Sequence, residues 1–354
     1  MLILGLVSGI RTVLSPKGLA LFQNMSLPEL ASGRVTEAQS RLLNEALLAG
    51  DLLAQTARIV DWLTIGDLGA QVRRGCDDWL FLREELDVQP HPETTIARRA
   101  HMVGQVAKIL ATRGISLVVA VIPDKSRIET AHLCKLRRPI NLATRLERFN
   151  ALASDHDVNV VNLNQVLSQL EGERYFRTDT HWNENGARAA ADTLAQHLRD
   201  TGIAPPSDSP IEIKAGTKRE RVGDLIRLAG LADVPLPLRP IGDWVAESEV
   251  IQPNAVSDDL LGDMSGPSIV VVGSSYSRNA NFIGFLSAAL AAPIGSMAQD
   301  GAKFAGAATA YFANTAFKDI PPRVIIWEIP ERSVDVPFDT LETDWENRLA
   351  QGTL

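Results

Sequence analysis

Three uninterrupted apolar runs constrain this chain more than any other feature: Leu117-Val118-Val119-Ala120-Val121-Ile122, Ile269-Val270-Val271-Val272 and Val324-Ile325-Ile326-Trp327. A strand with one wet face alternates apolar and polar residues. A strand that is apolar at every position needs cover on both faces, the signature of a parallel sheet sandwiched by helices. Helical patterns lie between the runs. Ile96, Ala100, Val103, Ala107 and Leu110 recur at helical spacing over Thr94–Thr112, with Gly114 as the stop. A second helix near Leu142–Leu152 aligns Leu142, Leu146 and Phe149, and a further strand is expected over Val158–Leu163. A third helix, Glu184–Arg199, turns Ala187, Ala190, Ala191, Leu194 and Leu198 inward, with Asn183 as N-cap and Gly202 as stop. This alternation predicts an α/β three-layer sandwich around a mostly parallel sheet. In such sheets functional groups gather at the carboxyl ends of the strands, where Asp124, Ser275 and Glu328 fall.

The rest of the 354 residues are read with less contrast. Residues 17–74 look helical, so residues 1–70 are expected to be an N-terminal extension and 71–354 the main domain, with an excursion over about 205–267. Met1–Leu14 is apolar but too short to span a bilayer, and is open to three readings: a weak or truncated export signal, a membrane-surface anchor, or a helix packed on the body. The formal charge of −8 argues against a nucleic-acid binder, and against a dedicated clamp for an acidic polymer, despite short basic clusters at Lys135–Arg138 and Lys214–Arg221. Cys76 and Cys134 lack metal-ligand spacing; a disulfide and two buried thiols both fit. No metal or cofactor is expected.

The chemistry concentrates in two segments. Asp179-Thr180-His181-Trp182 places a carboxylate two residues before an imidazole, close enough to reach its Nδ1 and leave Nε2 free as a base. About ninety residues later, Gly273-Ser274-Ser275-Tyr276-Ser277 puts a serine where a strand hands over to a helix. That resembles a nucleophile elbow, except that Ser277 stands in place of the second glycine. Ser275 as nucleophile, His181 as base and Asp179 as orienting acid meet the requirements of a hydrolytic triad. The bland alternatives are a polar turn with an N-cap at Ser275 and a surface Asp–His pair. Trp182 and Tyr276 could line a sugar site or sit in the core. Asp124-Lys125 and Glu328–Arg332 read as braces for loops at the strand ends rather than as substrate contacts. His91, His101, His132, His156 and His197 have no acidic partner in a motif.

Together these segments resemble a known family. Tyr175–Gly186 is similar to the Asp-x-His-Trp block of the AlgJ/AlgX alginate O-acetyltransferases, which are SGNH-hydrolase-like, and Gly273–Ser277 to their Gly-(Ser/Thr)-Ser-Tyr-Ser block. Gly75–Leu82, Pro123-Asp124-Lys125 and Trp327–Arg332 also fit, so the likeness runs in order over about residues 70–335. The resemblance implies a flavodoxin-like SGNH fold in which Asp179 and His181 precede Ser275, a permuted order. It implies a periplasmic enzyme that moves acetyl groups onto an exopolysaccharide through an acetyl-serine, supplied by a membrane-bound O-acyltransferase partner. The acceptor is expected to be alginate-like or another polymer, the acidic balance making a polyuronate less compelling than a neutral or mixed one. An esterase or deacetylase with the same triad, and a non-catalytic subunit of an acetylation complex, are the rival expectations.

Overall fold

The computed structural model describes residues 9–23, 38, 50–204, 206, 210–251 and 266–354. Most of the chain, Gly69–Ala229 with Pro240–Leu354, forms one compact unit; Met1–Leu68 with Gly230–Arg239 forms another. The start of the apolar N-terminal run lies outside the described residues. In that smaller unit helices occupy Pro16–Gln23 and Gly50–Ile65, and no described helix is long and apolar enough to cross a membrane. The helical texture expected to reach residue 74 stops at Ile65. Beyond it β1 (Val72–Arg74) pairs antiparallel with β2 (Leu80–Leu82), aligning Val72 with Leu82.

The larger unit is built on the apolar runs. β3 (Ser116–Ile122), β4 (Asn159–Val161), β9 (Ile269–Gly273), β10 (Ile294–Ala298) and β11 (Val324–Pro330) make a five-stranded parallel sheet in the order β10-β9-β11-β3-β4. Val118, Ala120 and Ile122 of β3 pack into one core, whereas Leu117, Val119 and Val121 pack into another. One strand therefore feeds both cores, and that is why its sequence carries no polar alternation. Helices Glu184–Asp200 and Phe282–Leu290 supply the first core, and helices Pro92–Ala111, Arg145–Ser154 and Gly306–Ala313 the second. The caps follow the sequence: Asn183 Oδ1 accepts from Gly186 N at 3.0 Å, and Gly202 turns out of the helix at φ 71°.

Apart from β4, the strands outside the buried middle of the sheet escape the sequence reading. β10 is an edge strand, its residues partly buried or exposed, and Gly295 and Ser296 break the apolar run. The segment after residue 210 holds two small antiparallel pairs: β5 (Glu212–Lys214) with β8 (Glu249–Ile251), and β6 (Lys218–Arg221) with β7 (Asp243–Ala246).

Candidate active site

Gly273 ends β9 against a wall of side chains. A Cβ there would lie 2.5 Å from Glu328 Oε2 and 2.6 Å from Ser277 Oγ, so only glycine fits. The chain then turns into helix Ser275–Arg278, whose N-cap Ser274 accepts from Tyr276 N. Glu328, buried on β11, holds this turn: it takes hydrogen bonds from Ser274 N at 2.7 Å, Ser274 Oγ at 2.9 Å and Ser277 Oγ at 2.8 Å. Burial raises its carboxyl above the ordinary range, while those hydrogen bonds pull the other way. Ser277, in the position of the elbow's second glycine, is thus an anchor. The result lifts Ser275 to the rim of the sheet, partly exposed.

Residues 175–182 form a tight loop, closed by the bridge between Tyr175 and Trp182 and by Phe176 N donating to His181 O at 3.1 Å. Lys125, wholly buried, pins it from below. Its Nζ donates to the carbonyls of Leu80, Arg177 and Asp179 at 2.5, 3.0 and 3.0 Å. Burial pushes its ammonium down to about 8 against the pull of Glu85 and other carboxylates. The loop's product is a dyad: His181 Nδ1 lies 2.6 Å from Asp179 Oδ1, and His181 N donates to the same oxygen at 3.0 Å. On the other side of the ring, His181 Nε2 lies 2.7 Å from Ser275 Oγ. The three residues singled out from sequence therefore stand in one hydrogen-bonded line. Burial alone would raise the Asp179 carboxyl. The His181 hydrogen bond and charge, then the Arg221 charge, overcome this and hold it well below the ordinary carboxylate range.

The excursion supplies what sequence reasoning missed. Arg221, at the end of β6, donates to Asp179 Oδ2 at 3.3 Å and to Asn279 Oδ1 at 2.7 Å, and Asn279 Nδ2 donates to Ser275 O at 2.8 Å. One guanidinium thus touches the acid and, through Asn279, the helix that carries the serine. Asp224 accepts from Thr180 N at 2.7 Å and sits 3.6 Å from His181 Nδ1. Burial first, then the Asp179 charge, raises its carboxyl. Asp179, His181 and Asp224 offer ligand atoms within 4.8 Å of one another, but those atoms are already engaged with one another and with Thr180. The only signal for Arg221 in the sequence was its place in a basic cluster; Asp224 and Asn279 carried none.

The remaining assignments sort cleanly. Trp182 and Tyr276 are buried: Trp182 Nε1 donates to Tyr276 O at 3.1 Å and Tyr276 Oη to Thr180 O at 2.9 Å, so they build the floor of the site rather than stack on a sugar. Asp124 and Glu331 brace two strand ends through Arg127, Arg138 and Arg145. His132 stacks on Trp79, His101 meets His156 edge-on, His197 pairs with Asn159, and His91 precedes a helix; all lie away from Ser275. Cys76 and Cys134 form a disulfide, with Cα atoms 5.6 Å apart.

Ser275 opens onto two cavities. One, of about 610 Å³, is lined by Asp179, His181, Arg221, Asp224 and Asn279; the other, of about 490 Å³, includes Arg83, Lys303 and Arg332.

A family profile described as "SGNH hydrolase-like domain, acetyltransferase AlgX" matches residues 72–331, well over half the chain. The chain belongs to this family. A relative in Pseudomonas aeruginosa PAO1, named "Probable alginate O-acetylase AlgJ", is 32% identical over 291 residues, covering 78% of this chain and 74% of the relative. The protein of the same name in Pseudomonas putida KT2440 is 29% identical over 338 residues, covering 93% and 87%. Among solved structures, the O-acetyltransferase domain of Pseudomonas putida AlgJ superposes with a TM-score of 0.69 at 28% identity, covering 79% of this chain and 98% of that domain. The SGNH-like, acetyltransferase-family fold is therefore that of this chain, and the five-stranded parallel sheet is its core.

Proposed function

We propose that the chain transfers acetyl groups to hydroxyls of alginate or a related exopolysaccharide through an acetyl-serine at Ser275. The observation that carries this reading is the line Asp179–His181–Ser275, with contacts of 2.6 and 2.7 Å. His181 Nε2 takes the proton of Ser275 Oγ, and the oxygen attacks the acetyl carbonyl of the donor. The amide N–H of Ser275 has no hydrogen-bond partner among the described residues and supplies one donor to the tetrahedral oxyanion. Collapse returns the proton from His181 to the leaving group. A sugar hydroxyl then gives its proton to His181 and attacks the acetyl-serine, and Ser275 leaves with that proton. The names of the relatives make alginate the leading acceptor, against the neutral or mixed polymer expected from net charge.

A periplasmic location fits the Cys76–Cys134 disulfide, since such bonds persist in oxidising compartments. A membrane-bound O-acyltransferase as the source of acetyl groups, and attachment through the N-terminus, belong to the same proposal. The test is acetyl transfer from a chromogenic acetyl ester to an oligosaccharide, read by mass spectrometry. Ser275→Ala is expected to lower transfer by about 10³-fold or more. Acetate release indifferent to sugar, with no acetylated product, would make the chain an esterase instead. An unchanged level of polymer acetylation in cells carrying Ser275→Ala would make it a non-catalytic partner.

A further inference from the structure

Arginines beneath the strand ends of this unit, buried or partly buried, are paired with carboxylates. Arg99 holds Glu342 at 2.8 Å, Arg127 holds Glu331 at 2.8 Å, and Arg145 holds Asp335 at 3.1 Å. Arg332 is different. Its hydrogen bond goes to Tyr276 Oη at 3.4 Å and its Cζ lies 5.5 Å from that ring's centroid. Among the described residues no carboxylate comes within ion-pair distance, 4.0 Å, of its guanidinium; Glu85 and Asp124 act on it only at longer range. Arg332 is partly exposed at the wall of a cavity, and of the five N–H donors in its fixed fork one meets Tyr276 Oη, so most have no protein partner among the described residues. Such a group is poised for a ligand.

Its position says which ligand. Arg332 lines the cavity of about 490 Å³ that shares Ser275 with the cavity holding His181 and Asp179. The other cations of that cavity are spoken for: Arg83 pairs with Asp87 at 3.1 Å and Lys303 with Asp339 at 3.7 Å. Glu84 also lines it, on the outer side of the same short turn as Arg83. A planar fork matches a carboxylate oxygen pair better than any neutral sugar group. In a uronic acid the carboxylate is fixed to the ring that bears the hydroxyls, so a ring hydroxyl at Ser275 leaves its carboxylate a short step away.

We propose that Arg332 reads a uronate carboxylate of the acceptor in the cavity beside Ser275. The inference rests on the transfer reading above and adds the residue that selects the acceptor's carboxylate. Net charge of −8 does not oppose it, because the ligand meets the local field of the cavity rather than the molecular average.

The experiment uses the full chain, a neutral chromogenic acetyl ester as donor throughout, and two acceptors: a short oligouronate and its carboxyl-reduced counterpart. The wild type is expected to favour the oligouronate by about tenfold or more in kcat/KM. Arg332→Gln is expected to lower that value by about 10- to 100-fold and bring the ratio of the two acceptors towards one. Arg332→Lys keeps the charge without the fork and is expected to fall between, which carries the test should the Gln variant not fold. A ratio near one in the wild type, or a ratio unchanged by either variant, overturns the proposal. So does a loss in ester cleavage without sugar larger than the loss of discrimination, which would assign Arg332 to the donor. Calorimetry separates this inference from its parent. Binding of the oligouronate to Ser275→Ala is expected to weaken by about tenfold when Arg332→Lys is added. That result with no transfer by the wild type would keep the carboxylate site and sink the transfer reading; equal affinities would sink the site.

Discussion

At the scale of single residues, the geometry around His181 assigns opposite signs to two neighbours. Asp224 presents a carboxylate 3.6 Å from Nδ1, and Arg221 a guanidinium 3.3 Å from Asp179 Oδ2. Arg221 helps hold the Asp179 carboxyl below its ordinary range. Arg221→Gln should therefore lower kcat/KM with the chromogenic ester by about tenfold at neutral pH, measured against the wild type; an unchanged value would contradict that role. Asp179→Asn keeps the shape but offers His181 an amide in place of a carboxylate, and turnover should fall by about 10⁴-fold, measured against the wild type with the chromogenic ester. Asp179, His181 and Ser275 were legible in the sequence because each carries its reason locally: an acid two residues from an imidazole, a serine after an apolar run. Arg221, Asp224, Asn279 and Arg332 were not, because their roles exist only once segments distant in sequence meet.

At the scale of elements, the carboxyl ends of β3 and β11 are held together by charge. Glu331, wholly buried after β11, accepts from Asp124 N at 2.9 Å, from Arg127 at 2.8 Å and from Arg138 at 2.6 Å. Burial would raise this carboxyl. The Arg127 hydrogen bond and the charges of Arg138 and Arg145 lower it instead, to about 2 from its unfolded 4.5. A depressed carboxyl stabilises the fold above its unfolded value, and that contribution is lost as pH falls through its folded value. Stability should thus decline between about pH 4.5 and about pH 2, and Glu331→Gln should flatten that part of the curve. The variant should also cost about 1–3 kcal/mol at neutral pH, since it takes one carboxylate partner from Arg127, Arg138 and Arg145, which keep Glu147, Asp124 and Asp335; denaturant titrations across pH check both. The elements themselves were legible in proportion to their burial. β3, β9 and β11 face two cores and are written in unbroken apolar residues, whereas β10 lies at the edge and is not. β6 reads Lys-Arg-Glu-Arg, all partly or fully exposed, so nothing in its pattern distinguishes it from a loop.

At the scale of the whole molecule, the Cys76–Cys134 bridge closes a span of 58 residues between β2's approach and the segment after β3. The sequence left two free thiols equally open, because pairing depends on where the chain folds back. Closing a loop of that size stabilises by about 2–4 kcal/mol, so the double Cys→Ser variant should lose about that much in a denaturant titration. The bland possibilities of the sequence, a polar turn at Ser275 and a detached Asp–His pair, are met by one three-dimensional fact: residues 94 apart in the chain share a hydrogen bond of 2.7 Å. The most direct test of what that contact does is to add acetyl donor without acceptor, then digest the protein and weigh its peptides. The account predicts one added acetyl group on the peptide carrying Ser275, absent in Ser275→Ala and discharged when an oligosaccharide is supplied. Acetyl transfer proceeding with Ser275 never modified, or an adduct that sugar does not discharge, would contradict it.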